Sequence, residues 1–416
     1  MMVNKRKIIN DPVYGFIDIP SAILYDLIEH PYFQRLRRIQ QLGLTNYVYP
    51  GANHTRLQHA LGAMHLMEQA IAVLRSKGEE ITDEEAEAIL IAILLHDIGH
   101  GPFSHALERS IVSGVSHEKL SALFMAELNR QFNGRLTLAI EIFKNKYRKK
   151  FLYQLVSSQL DMDRLDYLRR DSFFTGVNEG VIGSDRIIKM LIVKDDKLVV
   201  EEKGIYSIEK FLVARRLMYW QVYLHKTVIS AENLLLNTLR RAKEISANGE
   251  SVFGTPCLAF FLDPKLDISH YFESTDIDEK KVLLDNFAQL EDNDIIASAK
   301  VWTGHTDKTL SILAGNLVAR RLYKIEIQEQ PFSDEKITLY KSKVHHQLNI
   351  NQKDTSYFVF SGEISNNAYT SNDRINILLK TGDIVDITIA SDMLDQGMLD
   401  KTVVKHFLCY PKGITF

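Results

Sequence analysis

The fold is decided by residues 89–108, which read ILIAILLHDIGHGPFSHALE. The apolar run Ile89–Leu95 is too short to span a membrane and is typical of a buried helix or strand. It ends abruptly at His96 and Asp97. A protein core normally excludes ionisable side chains unless they are paired or bound to a metal ion. The stretch therefore indicates a buried element that ends at a metal or catalytic site.

The residues before this run favour a helix. Thr82 followed three residues later by Glu85 forms the pattern of a capping box, in which each side chain bonds the backbone of the other. The Gly-Pro loop 99–102 then stops the helix. We therefore predict a buried helix over residues 83–97.

The composition of the 416-residue chain is that of an ordinary soluble globular protein, with 45% hydrophobic and 25% charged residues. The formal net charge of −3 gives no reason to expect duplex nucleic acid or an anionic membrane as a partner. Cys257 and Cys409 are far apart and form no CxxC motif, which excludes a cysteine metal site and favours a reducing compartment. No signal peptide follows the basic N-terminus, and no apolar run reaches the roughly 18 residues of a membrane span. We therefore expect a cytoplasmic protein without a membrane partner.

The chain is predicted to be mainly α, with a helical body and a smaller, strand-rich α+β module. The body is assigned to residues 1–325, with the metal site within 54–171, and the module to 326–416. Periodicity and turn signals in the body predict a hairpin at 8–19, a second hairpin turn at 194–197, helical residues over 255–320, and helices over 20–30, 31–42, 54–77, 83–97, 115–130, 135–146, 151–171 and 207–245. An apolar period of two predicts strands at Tyr323–Ile327, Lys336–Tyr340, Tyr357–Phe360, Ile375–Leu379 and Ile384–Ile389.

A cluster of histidines surrounds the central stretch. Seven of the fourteen histidines lie between His54 and His117, and such clustering is typical of a metal or acid–base site. His59 lies in the middle of a predicted helix, and Asp163 lies on a helix whose leucines fix the buried face. With His96 and Asp97 they would form a mixed nitrogen and oxygen site. The alternative is that His59 is a core histidine and Asp163 pairs with an arginine.

Two helical faces carry polar and aromatic side chains at regular spacing. Asp163, Tyr167 and Asp171 are four residues apart and share one side of their helix. A second stripe on the long helix consists of Arg215, Tyr219, Tyr223 and Lys226. Cations beside aromatic rings suit a phosphate chain and a flat base or sugar. The alternative is a solvated charged face with aromatic side chains packed at its edge.

The order and spacing of these residues resemble the HD-domain phosphohydrolases, and more closely the deoxynucleoside triphosphate triphosphohydrolases of that superfamily. The resemblance covers roughly residues 8–240 and is specific because five pieces occur together. They are NDPVYG at 10–15, FQRLRRIQQLG at 33–43, YPGANHTRLQH at 49–59, HDIGHGPFSH at 96–105 and DRLDYLRRD at 163–171.

The resemblance implies one divalent metal ion held by His59, His96, Asp97 and Asp163. The mixed ligand set suits Mn, Fe, Ni, Co or Zn better than Ca, and Mg is included among the expected ions. It also implies an acid–base group of His100, His105, His117 and Glu108, with His105 protonating the 5′-oxygen of the leaving nucleoside.

The resemblance further implies a deoxynucleotide pocket. Arg56, Arg164, Arg215 and Lys226 would hold the phosphates. Gln41, Leu42, Tyr167 and Asp171 would enclose the sugar, where an aromatic wall leaves no room for a 2′-hydroxyl and an acid accepts the 3′-hydroxyl. Tyr223 would face the base. Animal members of the family carry a histidine where this chain has Tyr219. We therefore expect phosphate binding and substrate choice to differ from those members.

The implied reaction is hydrolysis of a deoxynucleoside triphosphate to deoxynucleoside and tripolyphosphate, by metal-activated water attacking the α-phosphorus. Two alternatives stay open: another HD-type phosphatase or phosphodiesterase acting on nucleotides, and a nucleotide-binding regulator without catalysis. Some members also bind an effector nucleotide between subunits, which implies a homo-oligomer, either a dimer or a tetramer. The matching residues are Lys7, Ile8, Asn10, Glu29, Gln34, Arg37, Arg320 and Lys324, and the alternative is that they are ordinary surface residues.

Overall fold

The predicted buried helix is present as α4, Asp83–Leu95, and its cap is the predicted one. The Thr82 hydroxyl accepts from the backbone N–H of Glu85, and the Glu85 carboxylate accepts from the backbone N–H of Thr82. Residues 88–95 are all buried. The helix ends at Leu95 and His96 is its C-cap, so the imidazole is carried at the end of a rigid, buried element.

The computed structural model describes residues 7–103, 110, 115–366, 369, 373–394 and 402–414. It is mainly helical with small sheets, which confirms the predicted fold class. The helices are α1 Ala22–Glu29, α2 Pro31–Gln34, α3 Arg56–Ser76, α4 Asp83–Leu95, α5 His117–Gln131, α6 Thr137–Phe143, α7 Lys150–Val156, α8 Met162–Thr175, α9 Ser184–Met190, α10 Ile205–Met218, α11 Lys226–Ala247, α12 Pro256–Leu262, α13 Ile268–Glu273, α14 Ile277–Gln289, α15 Asp292–Trp302, α16 Lys308–Val318, α17 Asp334–Leu348 and α18 Ile387–Ala390. Within the described ranges, no helix combines the length and apolar character that a membrane crossing would need.

Three small sheets accompany the helices in the part of the chain that the structure describes. The strands are β1 Lys7–Asp11, β2 Gly15–Ile19, β3 Leu191–Lys194, β4 Lys197–Glu201, β5 Lys324–Gln328, β6 Phe360–Asn366, β7 Asn376–Leu378, β8 Ile384–Asp386 and β9 Val403–Tyr410. The β1–β2 and β3–β4 pairs are antiparallel hairpins at the predicted places. The other sheet orders are β3-β4-β7-β8 and β5-β9-β6.

Two predicted long helices are each interrupted. The prediction of one helix over 151–171 is wrong, because α7 ends at Val156 and α8 begins at Met162. The Asp161 carboxylate accepts from the backbone N–H groups of Ser158 and Arg164, which caps a new helix. The helix predicted over 207–245 is likewise broken by a π-helical turn at Tyr219–Tyr223.

The remaining corrections concern short segments. Lys336–Tyr340 was predicted as a strand but is helical, because the Ser333 hydroxyl caps α17 by accepting from the Lys336 N–H. The helix predicted over 31–42 is limited to α2 and is followed by a 3₁₀ turn at Arg35–Arg38. The predicted strand at Ile384–Ile389 ends at Asp386, whose side chain caps α18.

The C-terminal part of the chain returns to the helical body. Strand β7 pairs in parallel with β4, so that Ile377 lies opposite Val200. Tyr340, Ile377 and Leu408 belong to the same continuous cluster of buried side chains as the core of α3 and α4. The division at 325/326 stays a prediction. At the centre of the body, α3 packs against both α4 and α8.

Candidate metal centre and active site

Three helices bring two imidazoles and a carboxylate together. His59 lies in α3, His96 follows the last residue of α4, and Asp163 lies in the first turn of α8. The Asp163 Oδ1 atom is 3.1 Å from His59 Nε2 and 3.6 Å from His96 Nε2. The three ligand atoms lie within 4.8 Å of one another, which is the spacing of donors around a common cation.

Both Nε2 atoms are buried and make no hydrogen bond within the described part of the chain. Each ring is held through its other nitrogen. His59 Nδ1 donates to Asp166 Oδ2 over 2.7 Å, and His96 Nδ1 donates to the Ile93 carbonyl over 2.6 Å. This arrangement leaves the Nε2 lone pairs pointing into the site, as in metal centres where a carboxylate or carbonyl orients the liganding imidazole. A buried polar atom without a partner is costly, so the geometry fits a bound cation.

Asp166, which was not predicted as a site residue from the sequence, holds the His59 ring in place by accepting its Nδ1 proton. It is fully buried, and Arg170 donates to both of its oxygens over 2.9 and 3.0 Å. Gly62 in α3 makes room for this pair, because a Cβ atom there would lie 2.0 Å from Asp166 Oδ1. The signal was present in the sequence as an aspartate three residues after Asp163, on the face that turns back toward α3.

The electrostatics of the site favour positive charge. Burial opposes protonation of His59, but the carboxylates of Asp163 and Asp166 raise its pKa to about 10. Burial likewise opposes protonation of His96, but Asp97 and Asp163 raise its pKa to about 8. Such raised pKa values mean that both imidazoles lie in a negative electrostatic potential. The same potential would stabilise a bound divalent cation.

Asp97 stands beside this group with both oxygens engaged. Oδ2 accepts from Arg56 Nη1 over 2.7 Å, and Oδ1 lies 3.3 Å from His100 Nε2 and 3.4 Å from His96 Nε2. Burial would raise the pKa of Asp97, but His96, His100 and Arg56 hold it well below its usual range. The carboxylate is therefore ionised and faces His59 at 3.9 Å, as the fourth predicted ligand.

Two of the four predicted acid–base residues are described. His100 and His117 stack with ring centroids 3.9 Å apart. Gly99 allows α5 to approach, since a Cβ there would lie 2.3 Å from the His117 carbonyl oxygen. Burial and the nearby Arg56 lower the pKa of His100 to about 3, so this ring is neutral near pH 7. His105 and Glu108 lie outside the described residues.

Among the residues predicted to enclose the sugar, Asp171 is tied to the aromatic side chains through Tyr223. Tyr223 donates its hydroxyl to Asp171 Oδ2 over 2.6 Å, and the Tyr223 ring packs edge-on against Tyr167 and Tyr219. The Gln41 backbone N–H donates to the His54 carbonyl, and Gln41 Oε1 is buried without a hydrogen-bond partner among the described residues. Leu42 is half-buried beside it.

Arg164 and Arg215 both contact the segment between α7 and α8. Arg164 Nε donates to the Ser158 carbonyl over 2.7 Å, and the buried Arg215 donates from Nη1 to Gln159 Oε1 over 3.1 Å. Gln159, which was not predicted, also donates to the backbone carbonyl of Asp373 over 2.6 Å. Asp373, from the C-terminal part of the chain, thus contacts the side chain that holds Arg215. Lys226 is exposed at the first position of α11.

The residues predicted to bind an effector form two groups on the surface. The first group consists of Lys7, Ile8 and Asn10 on β1 with Glu29, Gln34 and Arg37 around α2, and all but the half-buried Gln34 are exposed. Arg37 Nε donates to Gln34 Oε1 over 2.7 Å. The second group is Arg320, which donates to the Tyr47 carbonyl, and Lys324, whose ammonium lies over the Tyr410 ring.

Comparison with known proteins identifies the family. Residues 56–171 match the HD domain model, and residues 182–251 match the model of an HD associated region. The crystal structure of a phosphohydrolase from Bacteroides thetaiotaomicron superposes with a TM-score of 0.94 and 54% identity, covering 98% of this chain and 100% of that one. The uncharacterized protein YwfO of Bacillus subtilis is 30% identical over 99% of this chain and 94% of its own length.

A further relative has a named activity. The SAMHD1 homolog of Dictyostelium discoideum, a deoxynucleoside triphosphate triphosphohydrolase, is 32% identical over 57% of this chain and 50% of its own length. His59, His96, Asp97 and Asp163 all fall within the matched HD region. The chain belongs to the HD-domain phosphohydrolase family.

Proposed function

We propose that the protein hydrolyses deoxynucleoside triphosphates to a deoxynucleoside and tripolyphosphate. The observation that carries the proposal is the pair of unbonded Nε2 atoms of His59 and His96, which face Asp163 next to buried arginines and a tyrosine–aspartate face. The SAMHD1 homolog of Dictyostelium, named for this activity, supports the choice of substrate.

The cation would be held by His59, His96 and Asp163, with Asp97 as the fourth ligand. Such an ion would supply Lewis acidity, which lowers the pKa of water and neutralises phosphate charge. The ligand chemistry of two imidazoles and two carboxylates suits Mn, Fe, Co, Ni or Zn, and Mg is a further candidate.

The arginines would bind the phosphate chain. Arg56 is fixed by Asp97, Arg164 by the Ser158 carbonyl and Arg215 by Gln159. Guanidinium groups held in advance stabilise the negative charge that builds on the phosphoryl oxygens, without reorganisation during the reaction. Lys226 would add a cation at the outer end of the site.

The sugar would lie against Tyr167 with its 3′-hydroxyl directed to Asp171. An aromatic ring at that wall excludes a 2′-hydroxyl by contact, and a carboxylate accepts the 3′-hydroxyl proton. Gln41 and Leu42 would close the other side of the sugar, and Tyr223 would face the base. Tyr219, which packs against Tyr223, would influence which base is preferred.

His105 would donate the proton that the leaving 5′-oxygen requires, with Glu108, His100 and His117 orienting it. An imidazole suits this role because its pKa is near neutrality, where a donor can both hold and release a proton. The neutral His100 ring, stacked on His117, would keep additional positive charge away from Arg56.

We also propose that the two surface groups around β1 and β5 meet across subunits of a homo-oligomer and bind an effector nucleotide. Lys7, Arg37, Arg320 and Lys324 would supply the cations for its phosphates. Their exposure in the single chain supports this arrangement.

The test is product identification. Purified protein is incubated with each deoxynucleoside triphosphate and Mn²⁺ or Mg²⁺, with and without a guanine nucleotide, and the products are separated by ion exchange. We expect nucleoside and intact tripolyphosphate, and no turnover by Asp163→Ala. Orthophosphate with a nucleoside diphosphate would instead support a phosphatase, and pyrophosphate with a nucleoside monophosphate would support a pyrophosphohydrolase that breaks the bond between the α- and β-phosphates. Nucleotide binding without any product would support the regulator alternative.

A further inference from the structure

His54 is a histidine of the central cluster that the proposed reaction does not use. It precedes α3, and its ring is almost completely buried. Its Nε2 atom lies 2.7 Å from Asp171 Oδ1. The ring stacks on Phe174, with centroids 4.5 Å apart and planes inclined by 18°. A buried imidazole held in this way also fixes the orientation of the carboxylate that it contacts, here Asp171.

The contacts of His54 show which of its two ring nitrogens carries the proton. Nδ1 is buried and has no hydrogen-bond partner among the residues described here. A proton on Nδ1 would be a buried donor without an acceptor, which is costly, so the proton resides on Nε2 and is donated to Asp171. The ring is therefore a donor of fixed orientation toward Asp171.

Asp171 receives a second donor on its other oxygen. The Tyr223 hydroxyl donates to Oδ2 over 2.6 Å, and Tyr223 belongs to the π-helical turn that interrupts the long helix. The hydroxyl of Tyr49 donates to the Gln221 carbonyl in the same turn, which ties the loop before His54 to it. A carboxylate has about four lone-pair positions, so two remain for a ligand.

We infer that His54 is a positioning residue for sugar selectivity: by donating to Asp171 Oδ1, it orients the carboxylate so that the remaining lone pairs meet the 3′-hydroxyl of the nucleotide. This inference rests on the proposed function. The loop that carries His54 and the π turn Tyr219–Tyr223 then have the same role, because each supplies one of the two donors that fix Asp171.

The test compares a deoxynucleoside triphosphate with its 2′,3′-dideoxy analogue of the same base. The wild type is expected to prefer the deoxy substrate in kcat/KM by roughly two decades, because the dideoxy analogue leaves a buried carboxylate without its partner. In His54→Phe, the ring can still stack on Phe174 but cannot donate, so the preference should fall about tenfold, mainly through the deoxy substrate. His54→Gln places an amide donor near the Nε2 position and should restore much of the preference.

His65→Phe is the matched control, since His65 bonds Gln69 one turn further along α3 and should leave the preference unchanged. Equal preference in the wild type and in folded His54→Phe overturns the inference, as does an equal loss for both substrates.

If the wild type turns over neither nucleotide, the proposed function fails. The ratio of the two dissociation constants, measured by calorimetry, then decides the role of His54 separately: a ratio near one in the wild type overturns the inference, and a drop confined to His54→Phe supports it.

Discussion

At the scale of single residues, Asp292 illustrates how burial alters a group at the edge of the site. Its oxygens accept from the backbone N–H groups of Phe103 and Gln40, which ties the loop after His100 to the segment that carries Gln41. Burial raises the pKa of Asp292 to about 6, although these two hydrogen bonds and the nearby arginines act in the opposite direction. The side chain was not predicted from sequence, because an aspartate at a helix start is ordinary.

Asp292 predicts a pH dependence of stability. Its pKa in the folded protein exceeds the ordinary value of 3.8, so its stabilising contribution is complete below that pH and is lost as the pH rises through about 6. A difference of about 2 in pKa corresponds to on the order of 3 kcal/mol. Denaturant titrations at several pH values should show the stability advantage of the wild type over Asp292→Asn shrinking by this amount between pH 4 and 7. An advantage that stays constant or grows with pH would contradict the prediction.

At the scale of elements, the packing of α3 against α8 positions the metal centre. His59 and Gly62 lie on the face of α3 that meets Asp166 and Arg170 of α8. The sequence predicted both helices in part and placed Asp163, Tyr167 and Asp171 on one face. It missed the break before α8 and the π turn, because apolar periodicity continues across them. The side chains that produce the breaks act through backbone contacts formed only in the folded chain.

Gly62→Ala tests this contact. The added Cβ would lie 2.0 Å from Asp166 Oδ1 and 2.2 Å from Arg170 Nη2, and neither buried side chain has space to move. We expect a loss of about 1–3 kcal/mol in the free energy of unfolding, together with weaker metal binding through His59. The control is Gly315→Ala in α16, where no atom lies within 4 Å of the new Cβ, and a small gain of up to about 1 kcal/mol is expected. Similar effects of the two substitutions on the free energy of unfolding would argue against the close packing.

At the scale of the whole molecule, the C-terminal part is joined to the helical body. The change to an apolar period of two correctly predicted strands near residues 324–328 and 376–378. The parallel pairing of β7 with β4 places Val199 opposite Asn376, 177 residues further along the chain, and no local pattern encodes such a partner. The same holds for Gln159, whose contact with Asp373 links this part of the chain to Arg215.

This connection predicts cooperative unfolding. Calorimetry of the wild type should show one transition, because Ile377 on β7 is fully buried in the same core as α3 and α4. Ile377→Ala should cost about 2–5 kcal/mol and shift the whole transition to lower temperature. Ile389→Ala is the control, since Ile389 is 72% exposed and should have little effect. A second transition that alone responds to Ile377→Ala would mean that residues 326–416 fold as an independent unit.

The function proposed for this protein depends on a divalent cation held by the Nε2 atoms of His59 and His96 and by the Asp163 carboxylate. The most direct measurement is isothermal titration of chelator-treated protein with Mn²⁺, checked by elemental analysis. We expect one tight site per chain in the wild type and in His65→Phe, and its loss in Asp163→Ala. In Asp166→Asn the affinity should fall roughly 10- to 100-fold, because the ligands stay in place but the carboxylate charge behind His59 is removed. Two results would contradict this: a folded wild type that binds no divalent cation at this site, or an Asp163→Ala variant that binds the cation as tightly as the wild type.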